Sequence, residues 1–142
     1  MKTFRAVEKD FNRKTYIVDA SGKTLGRLAT RVAGILMGKG KTTFAYDQLC
    51  GDQVIITHAE KIRVTGNKSA QKVYLHYTGY YGGLRSTSYE KMLTNKPEEI
   101  ISEAIRRMLP KTKTGREMMR RLRVFAGAEH PHTAQKPVAL EV

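Results

Sequence analysis

Between Arg106 and Arg123 the chain sets eight cations, Arg106, Arg107, Lys111, Lys113, Arg116, Arg120, Arg121 and Arg123, against a single acid, Glu117. A solvated surface helix interleaves both signs of charge, and this segment scarcely does. Arg116, Arg120 and Arg123 are spaced four and three apart, so on a helix they share one face. Met118, Met119 and Leu122 give the same segment an apolar side with which to dock on a core. A surface anchored on one side and cationic on the other suits a rigid polyanion such as nucleic acid.

A second group with chemical potential is Ser21-Gly22-Lys23-Thr24, at the point where a strand should hand over to a helix. A phosphate-wrapping Walker loop needs a glycine five residues before Gly22, and that place holds Ile17. Nucleotide hydrolysis, the alternative reading of a small nucleotide-dependent enzyme, is therefore disfavoured. Lys23 beside a helix N-terminus is expected to meet one phosphate of a nucleic-acid backbone instead. Lys39 and Lys41 extend the cationic surface beyond that helix.

Tyr77-Thr78-Gly79-Tyr80-Tyr81-Gly82-Gly83-Leu84-Arg85 combines close-approach glycines, two flat rings and a bidentate donor. Such a loop can follow sugar-phosphate and stack Tyr80 or Tyr81 on an unpaired base; equally, one tyrosine can pack on the core. His130-Pro131-His132 lacks a third ligand nearby, which favours contact with phosphate or a base, or plain exposure, over a metal site. Cys50 has no histidine base beside it and reads as structural. Asn67-Lys68-Ser69 matches a glycosylation sequon but reads as a turn.

Composition narrows the partner. The 142 residues carry 26 Lys and Arg against 13 Asp and Glu, a formal net charge of +13, with a sequence pI near 10.0. The length suits one domain over residues 1–142 with a single core. The charge calls for an acidic partner, nucleic acid first and an anionic membrane surface second. No apolar run approaches the ~18 residues of a membrane span, and the N-terminus holds no apolar stretch suited to a signal peptide. With Cys50 the only cysteine, neither a disulfide framework nor a cysteine zinc cluster can form within the chain. A soluble, reduced, intracellular protein is expected.

The elements that must carry these residues follow from periodicity. Tyr16–Val18 reads as a buried strand, and Asp19–Gly22 as a turn. Thr24–Met37 reads as a helix with Leu25, Leu28, Ala29, Val32, Ala33 and Leu36 inward and Arg27 and Arg31 outward, closed by Gly38. Gln53–Thr57, apolar without alternation, reads as a strand covered on both faces, completing a right-handed βαβ unit. Ile62–Val64 and Val73–Tyr77 suggest the arms of a hairpin with Lys68 at its tip and Lys72 close by. Thr87–Glu90 suggests a capping box for a helix ending before Pro97. Pro97 opens another helix, with Ile101, Ala104, Ile105 and Met108 buried. Thr114–Glu117 would cap the basic helix, and Leu122–Phe125 reads as a last strand. Residues 1–14 and 127–142 are expected to be irregular.

The runs Val18–Ala29, Val64–Lys68, Tyr77–Gly83, Met108–Arg116, Leu122–Gly127 and His130–Gln135 together resemble the large-subunit ribosomal protein L-thirteen family, of the bacterial and organellar type. The resemblance implies an α/β fold, three layers α/β/α around a small, mostly parallel four-stranded sheet, with an added β-hairpin. It also implies a non-catalytic role without cofactor: binding large-subunit ribosomal RNA early in assembly, beside neighbouring large-subunit proteins, in the cytoplasm. No metal, no small-molecule substrate, no membrane and no homo-oligomer are expected. The residues expected to meet RNA are Lys23, Lys39, Lys41, Lys68, Lys72, Arg85, Lys111, Lys113, Arg116, Arg120, Arg121, Arg123, His130 and His132.

Overall fold

The computed structural model describes residues 6–7 and 10–141, so residues 1–5, 8–9 and 142 of the two expected irregular segments lie outside the described residues. Strand β1 (Thr15–Asp19) leads through a short turn into helix α1 (Leu25–Met37), and the chain returns as β2 (Gln53–Thr57). β1 and β2 pair in parallel with Ile17 beside Ile55 and Val18 beside Ile56, which is the βαβ unit that the apolar periods call for.

Leu28, Val32 and Leu36 of α1 enter one buried cluster with Val18, Val54 and Ile56. Side chains alternate along a strand, so Ile55, also buried, serves the opposite face. Gly38 ends α1 in the left-handed region, φ 78°, with its amide turned back to the carbonyls of Gly34 and Ile35. That is the conformation glycine adopts without a Cβ penalty.

The sheet has four strands, all parallel, in the order β5 (Leu122–Val124), β2, β1, β6 (Val138–Ala139). Helix α4 (Pro97–Met108) starts on Pro97 with Glu98 and Glu99 in its first turn and buries Ile100, Ile101 and Ile105. Met108, expected inside, is exposed. The chain leaves the helix extended at Leu109, and Leu109 takes the buried place instead.

Helix α5 (Lys113–Met119) is followed directly by β5 (Leu122–Val124). Its cap is Thr112, whose hydroxyl accepts the Gly115 N–H at 3.4 Å, and not Thr114. The tail is more ordered than expected. Val138–Ala139 forms β6 alongside Tyr16 and Ile17 of β1, and the Leu140 N–H donates to the Ile17 carbonyl at 2.9 Å.

The hairpin differs from the sequence expectation. Val73–Tyr77 (β3) pairs antiparallel with Leu84–Ser88 (β4), not with Ile62–Val64. Lys68–Gln71 forms a single helical turn, α2. Ile62–Val64 instead runs beside the entry to α1, with the Arg63 N–H on the Lys23 carbonyl and the Leu25 N–H on the Arg63 carbonyl. Helix α3 (Tyr89–Asn95) begins one residue later than the expected box, after Ser88, with no side-chain cap bond; its first amide donates to the Lys72 carbonyl at 2.9 Å.

Candidate nucleic-acid interface

The basic segment is built on a docked helix and a strand. Met118 is 2% exposed and Leu122 7%, and Met119 packs half-buried against the same core. Gly115 lies so close to the preceding turn that a Cβ there would sit 1.9 Å from the Pro110 carbonyl oxygen. These contacts leave Lys111, Lys113, Arg116, Arg120 and Arg123 exposed.

The helix ends at Met119, so Arg123 belongs to β5 and does not share a helical face with Arg116 and Arg120. Its guanidinium folds back to the helix end, donating to the Arg120 carbonyl at 2.7 Å. Arg120 pairs with Glu117 at 3.1 Å on the surface. Arg121 is different in kind. It is half-buried, and its Nη1 donates to the carbonyls of Leu49 and Gly51 at 3.1 and 2.8 Å. Its charge is committed to holding the loop before β2.

A second basic surface surrounds the outer side of α1. An open cleft of about 1100 Å³ is lined by Lys14, Arg27, Arg31, Lys39 and Lys41, with Asp10 and Asp52 as the acids. Asp52 is buried and already engaged: its carboxylate accepts the Lys14 N–H at 2.9 Å and pairs with the Lys41 ammonium. Lys41 also donates to the Asn12 carbonyl at 2.8 Å. Lys41 therefore anchors the N-terminal segment to the loop after α1, while Lys39 is exposed at the rim. Sequence reasoning placed Arg27 and Arg31 outward but not in the site. The signal was their four-residue spacing on the polar face; Lys14 joins them only through the fold.

The turn from β1 to α1 shows why Lys23 does not sit in a phosphate-wrapping loop. The Ser21 amide donates to the Asp19 carboxylate at 2.8 Å. The amides of Gly22, Lys23 and Leu25 donate to the carbonyls of Lys61, Ala20 and Arg63. With these donors occupied, the side chain of Lys23 is what the turn can offer to a phosphate. Beside it, His58 Nδ1 lies 3.0 Å from Asp19 Oδ1, with His58 itself in the left-handed region at φ 53°. The Ser21 hydrogen bond is the largest cause holding the Asp19 carboxyl below its ordinary value; burial opposes it, and His58 and Lys23 add to it.

At the hairpin Lys68 and Arg85 are exposed, and the Lys72 ammonium lies 5.3 Å from the Tyr74 ring centroid. Tyr80 is 79% exposed and Tyr81 fully so. Neither packs on the core, which removes one of the two readings of that loop. Hydrogen bonds from Thr78 to Gly83 and from Gly83 to Tyr80 close the tip, with Gly79 and Gly82 at φ 92° and 70°. In the tail, His130 and His132 gather on Phe125, ring centroids 6.4 and 5.8 Å away. Among the described residues no cluster of three or more His, Cys, Asp or Glu is placed to hold a metal ion. Cys50 is buried, its Sγ 3.3 Å from the Thr43 carbonyl.

The family model described as ribosomal protein L13 matches residues 13–131, which takes in α1, the hairpin, the basic helix and the His130-Pro131 pair. The chain belongs to the ribosomal protein L13 family. The large ribosomal subunit protein uL13 of Symbiobacterium thermophilum is 54% identical over 141 residues, 99% of each chain. That of Aquifex aeolicus is 53% identical over 142 residues, all of this chain and 99% of the relative. The protein of the same name from Nitratidesulfovibrio vulgaris is 50% identical over the same span. In this L13 family member the match runs through all the basic surfaces described above, and the coverage spans nearly the full length of each relative. Among the described residues no helix is long and apolar enough to cross a membrane.

Proposed function

We propose that this protein is a non-catalytic structural constituent of the large ribosomal subunit in the cytoplasm. It binds large-subunit ribosomal RNA, supports early assembly of the particle and lies beside other large-subunit proteins as a single copy. The observation that carries the reading is the exposed set Lys111, Lys113, Arg116, Arg120 and Arg123, presented by a helix and strand whose apolar residues Met118 and Leu122 are buried. Long cationic side chains on a fixed backbone lose less freedom on binding than the same charges on a mobile arm. Their targets are phosphates, so the contact positions the protein without reading sequence.

The remaining cations form two flanks. Lys23, Lys39, Arg27 and Arg31 serve one, and Lys68, Lys72 and Arg85 the other, with Tyr80 and Tyr81 offered to unpaired bases and His130 and His132 to a phosphate or base. Lys41 and Arg121 act inside the protein, positioning the loops that these surfaces stand on. Family membership and the relatives' names support the ribosomal assignment.

Sedimentation of a cell lysate through a gradient tests it. At low salt the chain should travel with the large subunit, and at high salt it should be released, since counterion release weakens phosphate contacts. A chain that stays at the top of the gradient in both conditions overturns the assignment.

A further inference from the structure

The cleft on the outer side of α1 is a cationic concavity of about 1100 Å³ whose walls come from three parts of the chain. Arg27 and Arg31 stand on α1, Lys14 ahead of β1, and Lys39 on the loop after α1. All four are exposed, and among the described residues none of their side chains meets a carboxylate or a carbonyl. Of the two acids in the cleft, Asp52 is engaged by Lys41, and Asp10 accepts the Val7 amide at 2.8 Å. Like charges gathered in a concavity repel one another and focus their field, which favours a polyanion there.

The loop Lys39-Gly40-Lys41-Thr42-Thr43, which lines the same cleft, supplies the independent observation. The amides of Lys39 and Lys41 are spent on the carbonyls of Gly34 and Gly38. Those of Gly40, Thr42 and Thr43, with both threonine hydroxyls, make no hydrogen bond among the described residues. Nothing lies within 4 Å of a Cβ built on Gly40, so a ligand can approach its backbone closely. Unspent amides interleaved with cations are the donors that hold phosphate oxygens. Half-buried Tyr16, Ile35 and Leu140 make the apolar part of the lining.

We infer that this cleft holds a short unpaired stretch of the bound RNA, its phosphates on Arg27, Arg31, Lys14 and the loop amides, and a base on the Tyr16 ring. A basic groove with an aromatic side chain in its lining is how proteins hold single strands. A duplex keeps its bases stacked inside a convex surface and is met across its shallow minor groove, not within a concavity. The site rests on the RNA-binding reading and narrows it, on this flank, to RNA without a complementary strand.

The test titrates the full chain, labelled at its backbone amides, with an oligouridylate, a blunt RNA duplex and an oligoglutamate. The oligouridylate should shift the Gly40, Thr42 and Thr43 signals saturably, and the other two probes should leave them in place. The double variant Arg27→Gln with Arg31→Gln changes only exposed positions. It should melt like the parent and flatten the log–log salt slope for oligouridylate by about 1.4, since each single-strand phosphate contact contributes about 0.7. Loop signals silent to oligouridylate, signals moved as far by the duplex, or an unchanged slope overturn the site. Equal shifts with oligoglutamate would make the cleft a seat for an acidic protein segment, which overturns it too. Titration with folded large-subunit RNA in parallel separates the failures: salt-dependent binding of that RNA with a cleft silent to oligouridylate sinks the inference alone, and absence of both sinks the RNA reading as well.

Discussion

Arg121 and Gly51, seventy residues apart in sequence, are joined by a hydrogen bond of 2.8 Å from guanidinium Nη1 to carbonyl oxygen. The bond ties the end of the basic helix to the loop entering β2, so the segment that carries the cations is fastened by one of them. Next to it, Arg120 makes only a surface pair with Glu117. The two neighbouring arginines should therefore fail differently. Arg120→Ala should lower the slope of log affinity against log salt for RNA by about 0.7–0.9 with unchanged stability. Arg121→Ala should cost about 1.5–3 kcal/mol, the range for hydrogen bonds to charged groups. Denaturant melts beside salt titrations of the two variants check the division, and equal stability for both would refute the clamp.

The other side of that contact gives a second expectation. A Cβ built on Gly51 would stand 1.7 Å from the Leu36 carbonyl oxygen, which is backbone of α1 and cannot swing away. Gly51→Ala should destabilise by about 3 kcal/mol or more, and thermal melting should show it. Gly26→Ala, where nothing lies within 4 Å, is the control and should be neutral or slightly stabilising in its helix. A normal melt for Gly51→Ala would mean that β2 and α1 do not approach as described.

The contrast between Gly51 and the hairpin shows what the sequence could carry. The βαβ unit was legible because Leu28, Val32 and Leu36 on one side and Val54, Ile55 and Ile56 on the other are buried with the periods of their elements. β4 was not, because its residues Leu84–Ser88 are largely exposed in a two-stranded ribbon and so carry no apolar alternation. Ile62 and Val64 do alternate around exposed Arg63, but Ile62 is buried beside the entry to α1 instead of in a ladder. β6 is two residues long, below any period.

Among the site residues, the exposed cations of the basic helix could be read from charge density alone. The internal duties of Lys41 and Arg121 could not, since their acceptors are a buried carboxylate and carbonyls brought near by folding. The convergence of Lys14 with Arg27 and Arg31 was hidden for the same reason.

Asp19 supplies a pH dependence with a definite sign. Its folded carboxyl is held below the ordinary value of 3.8, chiefly by the Ser21 amide. A depressed folded value means that the carboxylate contributes stability above the unfolded value, and that this is lost as pH falls through the folded one. The stability difference between the parent and Asp19→Asn, measured by denaturant melts, should be constant at neutral pH. It should shrink only below about 3.8, the ordinary value. A difference that disappears while the pH is still near neutral would mean that the Asp19 carboxyl is not held as described.

The final prediction concerns how the cationic surface is kept in register. Met118 is buried while Arg116 and Arg120, two residues to either side, are exposed, so one side chain fixes the orientation of both. Met118→Asp would drive an unpaired charge into that contact and should cost about 3 kcal/mol or more. Met118→Leu, nearly equal in volume, should cost less than about 1.5 kcal/mol. If docking presents the arginines, RNA affinity at fixed salt should fall further for Met118→Asp than for Arg120→Ala, although the buried residue touches no RNA. Met118→Leu should bind like the parent. Should Met118→Asp melt early yet bind normally, the arginines would be acting as a flexible arm, and preorganisation of this surface would be wrong.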